Sequence, residues 1–106
     1  MSNQFAGKGY FSIPKPLRRK GHAQIAVIAA DEILTERSSQ YQALDSGATP
    51  RNVDLPALKD GLIYVIHNLG STTDLIVRNA AGGTIETLTP ALTKTFICNG
   101  TLWIGI

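Results

Sequence analysis

Short apolar runs separated by turn-forming residues recur about every ten positions between residues 61 and 106. In residues 61–67 both alternating faces of the run are largely apolar, which is typical of a central strand that is covered on both sides. Residues 74–78 and 84–87 alternate apolar and polar side chains more regularly. This rhythm predicts consecutive antiparallel strands joined by tight turns.

Further strand patterns lie on both sides of this central run. They span residues 22–29, 41–45, 51–55, 92–98 and 102–106. Residues 31–37 are compatible with one helical turn, and Asn99-Gly100 is a strong hairpin signal between the last two strands. Seven or eight short strands over about 85 residues predict an all-β body, built as an antiparallel β-sandwich or a jelly roll.

The closing strand suggests both a core and a contact surface. Because the hairpin places the last two strands side by side, we expect Val65, Phe96 and Trp103 to pack together in the core. The chain ends in Ile104-Gly105-Ile106 without a charged side chain, which would be a sticky edge in a monomer. We therefore expect Ile104 and Ile106 to lie in an oligomer interface, with a trimer favoured over a dimer.

Composition indicates one folded domain. The chain has 106 residues, of which 43% are hydrophobic and 17% charged, enough to bury a core without a metal or a disulfide. The single cysteine, Cys98, excludes an internal disulfide and a cysteine-based zinc cluster. The basic N-terminal residues lack an apolar segment after them, and the longest aliphatic run, residues 25–30, is too short to span a membrane. We expect a protein made and kept in a cytoplasm, with no membrane partner.

The first 21 residues differ from the rest of the chain. Residues 1–30 hold five basic and no acidic side chains, whereas residues 31–106 hold five basic and eight acidic ones. Pro14 and Pro16 favour an extended path, so we interpret residues 1–21 as an extended arm and residues 22–106 as the body. The arm alternates apolar and basic side chains: Phe5, Tyr10, Phe11, Ile13, Lys15, Leu17, Arg18, Arg19 and Lys20.

Three roles for this arm are open: docking on an acidic protein surface, solubilising the chain, and contacting nucleic-acid phosphates. Its apolar content exceeds that of a solvating tail and suits a segment that orders on a partner. The body is mildly acidic and has no ladder of aromatic and basic residues of the kind that stacks bases. We rank protein docking first, a solubilising tail second and nucleic-acid binding third.

The sequence offers no catalytic or metal-binding pattern. His22 and His67 are the only histidines, and no carboxylate or cysteine lies at ligand spacing from either. The glycine-rich residues 81–84 lack the Gly-Lys-Ser/Thr ending of a phosphate loop and precede a strand, so they predict a hairpin turn. Ser71 lies in a turn without the glycines of a nucleophile elbow. We expect no enzyme activity, no metal and no cofactor.

The order of the motifs resembles small structural proteins of tailed bacteriophages, namely head decoration (cement) proteins and tail-fibre domains. The resemblance covers residues 39–106. It rests on five segments: Tyr41-Gln42-Ala43-Leu44-Asp45-Ser46-Gly47, Val53-Asp54-Leu55-Pro56, Val65-Ile66-His67-Asn68, Val77-Arg78-Asn79-Ala80-Ala81-Gly82 and Phe96-Ile97-Cys98-Asn99-Gly100-Thr101-Leu102-Trp103. It implies a virion component with an all-β body, commonly a trimer.

Two functions follow from the resemblance. In the first, the protein is a capsid decoration protein on the outer surface of the head, where its body and arm bind the major capsid protein. The arm lies outside the resembling segments and favours this role, because cement proteins typically reach across capsomers with extended termini. In the second, it is a tail-fibre or carbohydrate-binding module that exposes Trp103, Tyr64 or Tyr41 in a groove to stack on sugar rings.

Overall fold

The computed structural model describes residues 23–106, which form nine β-strands and, within that range, no helix. The strands are β1 (Ala23–Val27), β2 (Glu32–Ile33), β3 (Tyr41–Asp45), β4 (Arg51–Asp54), β5 (Ile63–Asn68), β6 (Leu75–Arg78), β7 (Thr84–Leu88), β8 (Thr93–Cys98) and β9 (Trp103–Gly105). A five-stranded sheet has the order β1-β3-β5-β8-β9, and a four-stranded sheet has the order β2-β4-β6-β7. The predicted all-β class is confirmed.

The first six strands alternate between the two sheets, as in the coils of a parallel β-helix. Strands β1, β3 and β5 are parallel neighbours in one sheet, and β2, β4 and β6 are parallel neighbours in the other. Tyr41 pairs with Val65, and Arg51 pairs with Leu75. The two residues of each pair are 24 positions apart. The coil that contains β3 and β4 is therefore followed by the coil that contains β5 and β6 at the same spacing in both sheets.

The last three strands fold back in the antiparallel sense: β7 pairs with β6, and β8 lies between β5 and β9. Asparagine side chains shape the two hairpin turns. Asn79 Oδ1 accepts hydrogen bonds from the backbone N–H groups of residues 81 and 83, and Asn99 Oδ1 accepts them from residues 101 and 102. Gly82 and Gly100 follow with φ near +90°, a conformation that glycine adopts without strain.

Four details of the predicted architecture are corrected. The described residues hold nine strands instead of seven or eight, and both sheets are mixed instead of antiparallel. Residues 31–37 contain β2 instead of a helical turn, and β5 pairs with β8 instead of with the strand that follows it. The reason is that alternation of apolar and polar residues identifies a strand and its faces but not its partner or direction.

One apolar core collects side chains from both sheets. Its members are Ile28, Leu34, Leu44, Val53, Leu55, Tyr64, Ile66, Leu75, Val77, Leu88, Phe96, Cys98 and Trp103. Phe96 and Trp103 therefore lie in the core as expected, but Val65 does not. It is half-buried on the opposite face of β5, and Tyr64 takes the core position, paired with Phe96 and with its ring centroid 6.0 Å from that of Trp103.

Strand β5 is central in its sheet, as predicted, but it is not covered on both sides. Tyr64 and Ile66 are buried on the inner side, whereas Ile63 is exposed and Val65 is half-buried on the outer side. The outer side of the five-stranded sheet is thus open in the described chain. The predicted docking arm, residues 1–21, lies outside the described residues.

Candidate interaction surface

The strand register brings apolar residues together on the outer side of the five-stranded sheet. Directly paired residues of neighbouring strands point to the same side. The pairs on the outer side include Tyr41 with Val65, Ile63 with Ile97, and Ile97 with Ile104. We call this surface the apolar face and define it by Ile25, Val27, Tyr41, Ile63, Val65, Ile97, Ile104 and Ile106.

The apolar face is solvent-exposed at its two margins. Ile25 is 69% exposed and Val27 is 73% exposed on β1, and Ile106 is 71% exposed beyond β9. Ile106 continues the sheet, because its N–H donates to the carbonyl of Thr95 over 2.8 Å. Burying side chains of this size is favourable, so a surface that gathers several of them is a candidate site of protein contact.

Charged side chains are nearly absent from this face. His67, Thr93 and Thr95 occupy the remaining outward positions of β5 and β8, and His67 Nδ1 lies 2.6 Å from Thr93 Oγ1. Asp45 is the one acidic or basic residue at an outward position of these five strands, and its Oδ1 accepts a hydrogen bond from the backbone N–H of Gly47. Depletion of charge is the compositional mark of the centre of a protein interface.

The outer side of the four-stranded sheet is built differently. Asp54 and Arg78 form a two-pronged ion pair, with Nε 2.7 Å from Oδ1 and Nη2 2.9 Å from Oδ2. The hydrogen bonds to Asp54 raise the pKa of Arg78. Asp31 accepts hydrogen bonds from the backbone and the side chain of Asn52, and these lower its pKa. This side carries ion-paired and hydrogen-bonded polar groups next to Ile33 and Ile76, whereas the apolar face is almost without charge.

Another ion pair connects the two sheets at one margin. Lys94 Nζ of β8 lies 3.5 Å from Glu86 Oε1 of β7, where the two strands belong to different sheets. Cys98 is buried, and its Sγ accepts hydrogen bonds from the backbone N–H groups of Lys59 and Gly100. Among residues 23–106, no three histidine, cysteine, aspartate or glutamate side chains are grouped to hold a metal ion.

The aromatic residues considered for sugar stacking are mostly enclosed. Trp103 is 8% exposed, Tyr64 is 2% exposed, and the Tyr64 hydroxyl donates to the carbonyl of Thr35 over 2.6 Å. Tyr41 is 36% exposed, but it lies on the apolar face among aliphatic neighbours.

A groove of about 470 Å³ runs beside the edge of Trp103. Its walls come from three loops, with Leu58, Ala80, Ala81 and Leu102 among the lining residues, and none of the side chains that line it is ionisable. The Trp103 Nε1 atom has no hydrogen-bond partner among the described residues.

The sequence predicts only part of this surface. Ile104 and Ile106, the predicted oligomer contacts, lie at one margin of the apolar face. Ile25 and Val27 at the other margin were missed, although their alternation along β1 marks them as sharing a face. The sequence could not show that β1 and β9 are the two edges of one sheet, because that depends on the order of the strands.

No protein family, no curated protein and no solved structure matches this chain. Within the described residues there is no helix of the length and hydrophobicity needed to cross a membrane.

Proposed function

We propose that this protein is a structural component of a bacteriophage virion, a capsid decoration protein that binds and stabilises the outer surface of the head shell. The observation that carries the proposal is the apolar face, an exposed and nearly uncharged sheet surface suited to packing against protein. The phage-like motifs of residues 39–106 support the same role.

In this proposal the body and the arm have separate tasks. The two sheets act as one sandwich-like body around their shared core, and the apolar face drives assembly. The arm, residues 1–21, docks on the major capsid protein. Its aromatic side chains fill shallow pockets there, and the basic residues Lys15, Arg18, Arg19 and Lys20 meet shell carboxylates, which mainly sets the rate and orientation of attachment.

A decoration assay on bare capsids tests this function. Full-length protein and a variant lacking residues 1–21 are mixed with capsids at two salt concentrations, and occupancy is measured after sedimentation. We expect the truncated protein to remain folded but to occupy far fewer sites. Higher salt should slow attachment more than it loosens particles already decorated, because buried apolar contacts are not screened. Equal occupancy by both proteins would show that the arm plays no part in docking.

The groove beside Trp103 favours one second candidate, a tail-fibre or carbohydrate-binding module. Its walls, with Leu58, Ala80, Ala81 and Leu102 beside Trp103, are compatible with a small, largely apolar ligand. The two functions differ in what the protein sediments with: capsids for a decoration protein, host cell envelopes for an attachment module. If envelopes are bound, Leu58→Arg, which places a charge in the groove, should abolish that binding.

A further inference from the structure

The turn between β8 and β9 contains an asparagine followed directly by a glycine, a pair whose atoms can react with each other. Asn99 and Gly100 are both exposed. The backbone nitrogen of a glycine can reach the side-chain amide carbon of the asparagine before it, because no glycine side chain stands in the way. The fold itself requires the glycine, since Gly100 has φ of 92° and a Cβ there would lie 3.4 Å from the Cβ of Asp60.

Hydrogen bonds of this turn hold the Asn99 side chain close to the attacking nitrogen. Its Oδ1 accepts from the N–H of Thr101 over 2.9 Å and from the N–H of Leu102 over 3.0 Å. Both donors follow Gly100 directly, so the side-chain carbonyl is folded back over the Gly100 peptide. Oδ1 is also the atom that gains negative charge when Cγ is attacked, and two fixed N–H donors at such an atom stabilise that charge.

We propose that Asn99 is a site of self-modification, at which the turn converts the asparagine into aspartate. Hydroxide removes the proton from the Gly100 nitrogen, and this nitrogen attacks Cγ of Asn99. The N–Cγ bond forms, the Cγ–Nδ2 bond breaks, and Nδ2 takes a proton from water and leaves as ammonia. The product is a cyclic succinimide. The Gly100 N–H donates to Cys98 Sγ over 3.4 Å, and only this weak hydrogen bond to sulfur is lost.

The same two donors select the final product. Water opens a succinimide at either of its carbonyls. Attack at Cγ restores the normal backbone and gives aspartate, whereas attack at the main-chain carbonyl gives isoaspartate, in which the chain runs through the side chain. The N–H groups of Thr101 and Leu102 polarise the Cγ carbonyl, so they direct water to Cγ. The resulting carboxylate keeps both hydrogen bonds and strengthens them, because its oxygen is charged.

Conversion would change the groove beside Trp103. Thr101 and Leu102 belong to its lining, which has no ionisable side chain. A carboxylate at position 99 would add a negative charge to this rim, close to Asp60, and would disfavour anionic ligands there. The modification goes beyond the proposed function, since it requires neither a capsid nor a ligand.

The turn between β6 and β7 supplies a matched control. Asn79 Oδ1 also accepts from two backbone N–H groups, those of residues 81 and 83, but the next residue is Ala80, whose methyl group hinders attack. Full-length protein is incubated at mildly alkaline pH and then digested briefly with trypsin. Cleavage after Arg78 and Lys94 places the two asparagines in separate peptides, residues 79–94 and 95–106. Mass spectrometry detects the replacement of the amide by a carboxyl group.

We expect the peptide with Asn99 to convert progressively and the peptide with Asn79 to remain unchanged. Ala80→Gly should start conversion at Asn79. Liquid chromatography separates aspartate from isoaspartate, with Asn99→Asp as the standard. Folded protein should give mainly aspartate. Protein unfolded in guanidinium chloride should give mainly isoaspartate, because the main-chain carbonyl is the more reactive one when no donors act.

Three results would overturn the proposal. Conversion of Asn99 only in the unfolded protein would show that the turn protects this residue. Equal conversion at Asn79 and Asn99 in the wild-type protein would show that Gly100 is not needed. The same ratio of aspartate to isoaspartate in folded and unfolded protein would show that the two donors do not direct the reaction. None of these results depends on the decoration assay, because no capsid is present.

Discussion

Asn68 is the buried polar residue that ties together the end of β5. Its side-chain amide donates to the carbonyls of Thr73 and Leu88, each over 2.9 Å, and its Oδ1 accepts from the N–H of Gly70. The side chain is fully buried. If this side chain is removed, its backbone partners lose a hydrogen bond, and water cannot reach the buried site to replace it. Asn68 is therefore a structural residue, and its loss should affect the whole fold.

We expect Asn68→Leu to lower the free energy of unfolding by on the order of 3 kcal/mol or more, because three backbone groups lose their partner. Asn99→Leu is the matched control. This substitution removes two hydrogen bonds to the backbone. Because Asn99 is exposed, water can take the place of its side-chain oxygen. Its cost should be about 1 kcal/mol. Urea unfolding measures both values, and equal costs would contradict the role assigned to Asn68.

Trp103 contributes through apolar contact. It belongs to the core cluster and packs near Tyr64, so Trp103→Ala should cost about 3–5 kcal/mol. Trp103→Phe should cost clearly less, because a ring still fills the site and the lost N–H had no partner among the described residues. Thermal unfolding of both variants checks this expectation. An unchanged melting temperature for Trp103→Ala would mean that the indole adds nothing to the core.

At the scale of the elements, the turn between β7 and β8 holds a strained residue. Ala91 has φ of 72°, and it is the only non-glycine residue with a positive φ in the described chain. Its N–H donates to the carbonyl of Asn68 over 3.0 Å, which holds the turn in place. A side chain in this left-handed conformation costs about 1–2 kcal/mol.

Ala91→Gly should therefore raise the free energy of unfolding by up to about 1 kcal/mol, despite the added freedom of the unfolded chain. Ala81→Gly is the control, since Ala81 also lies in a hairpin turn but is not among the residues with positive φ. It should lower stability by about 0.4–1 kcal/mol. The opposite signs are the result to look for in denaturant unfolding, and a loss of stability in both variants would contradict the strain at Ala91.

The elements themselves were largely visible in the sequence. Alternation located all the strands except the two-residue β2, and Asn99-Gly100 correctly placed the last hairpin. Partners and directions were not visible, since a period of two residues is the same in parallel and antiparallel strands. The same limit explains why Val65 was assigned to the core in place of Tyr64: alternation separates two faces but does not show which one faces the core.

At the scale of the whole molecule, one outer side of the body carries the Asp54–Arg78 ion pair and the other is almost uncharged. The sequence indicated the C-terminal part of the apolar face through Ile104 and Ile106. It did not indicate how far this face extends, because that depends on the strand order, which places β1 and β9 at opposite edges of one sheet. This asymmetry fits the proposed function. The apolar side assembles copies of the chain, and the arm then attaches the assembly to a shell.

The most direct test of this account is the mass of the full-length protein in solution. Light scattering at micromolar concentration should give a trimer of the 11.4 kDa chain, about 34 kDa, because packing copies against one another removes the apolar face from water. A particle of 11.4 kDa under the same conditions would show that the apolar face stays in contact with water, and it would contradict the assembly on which the account rests.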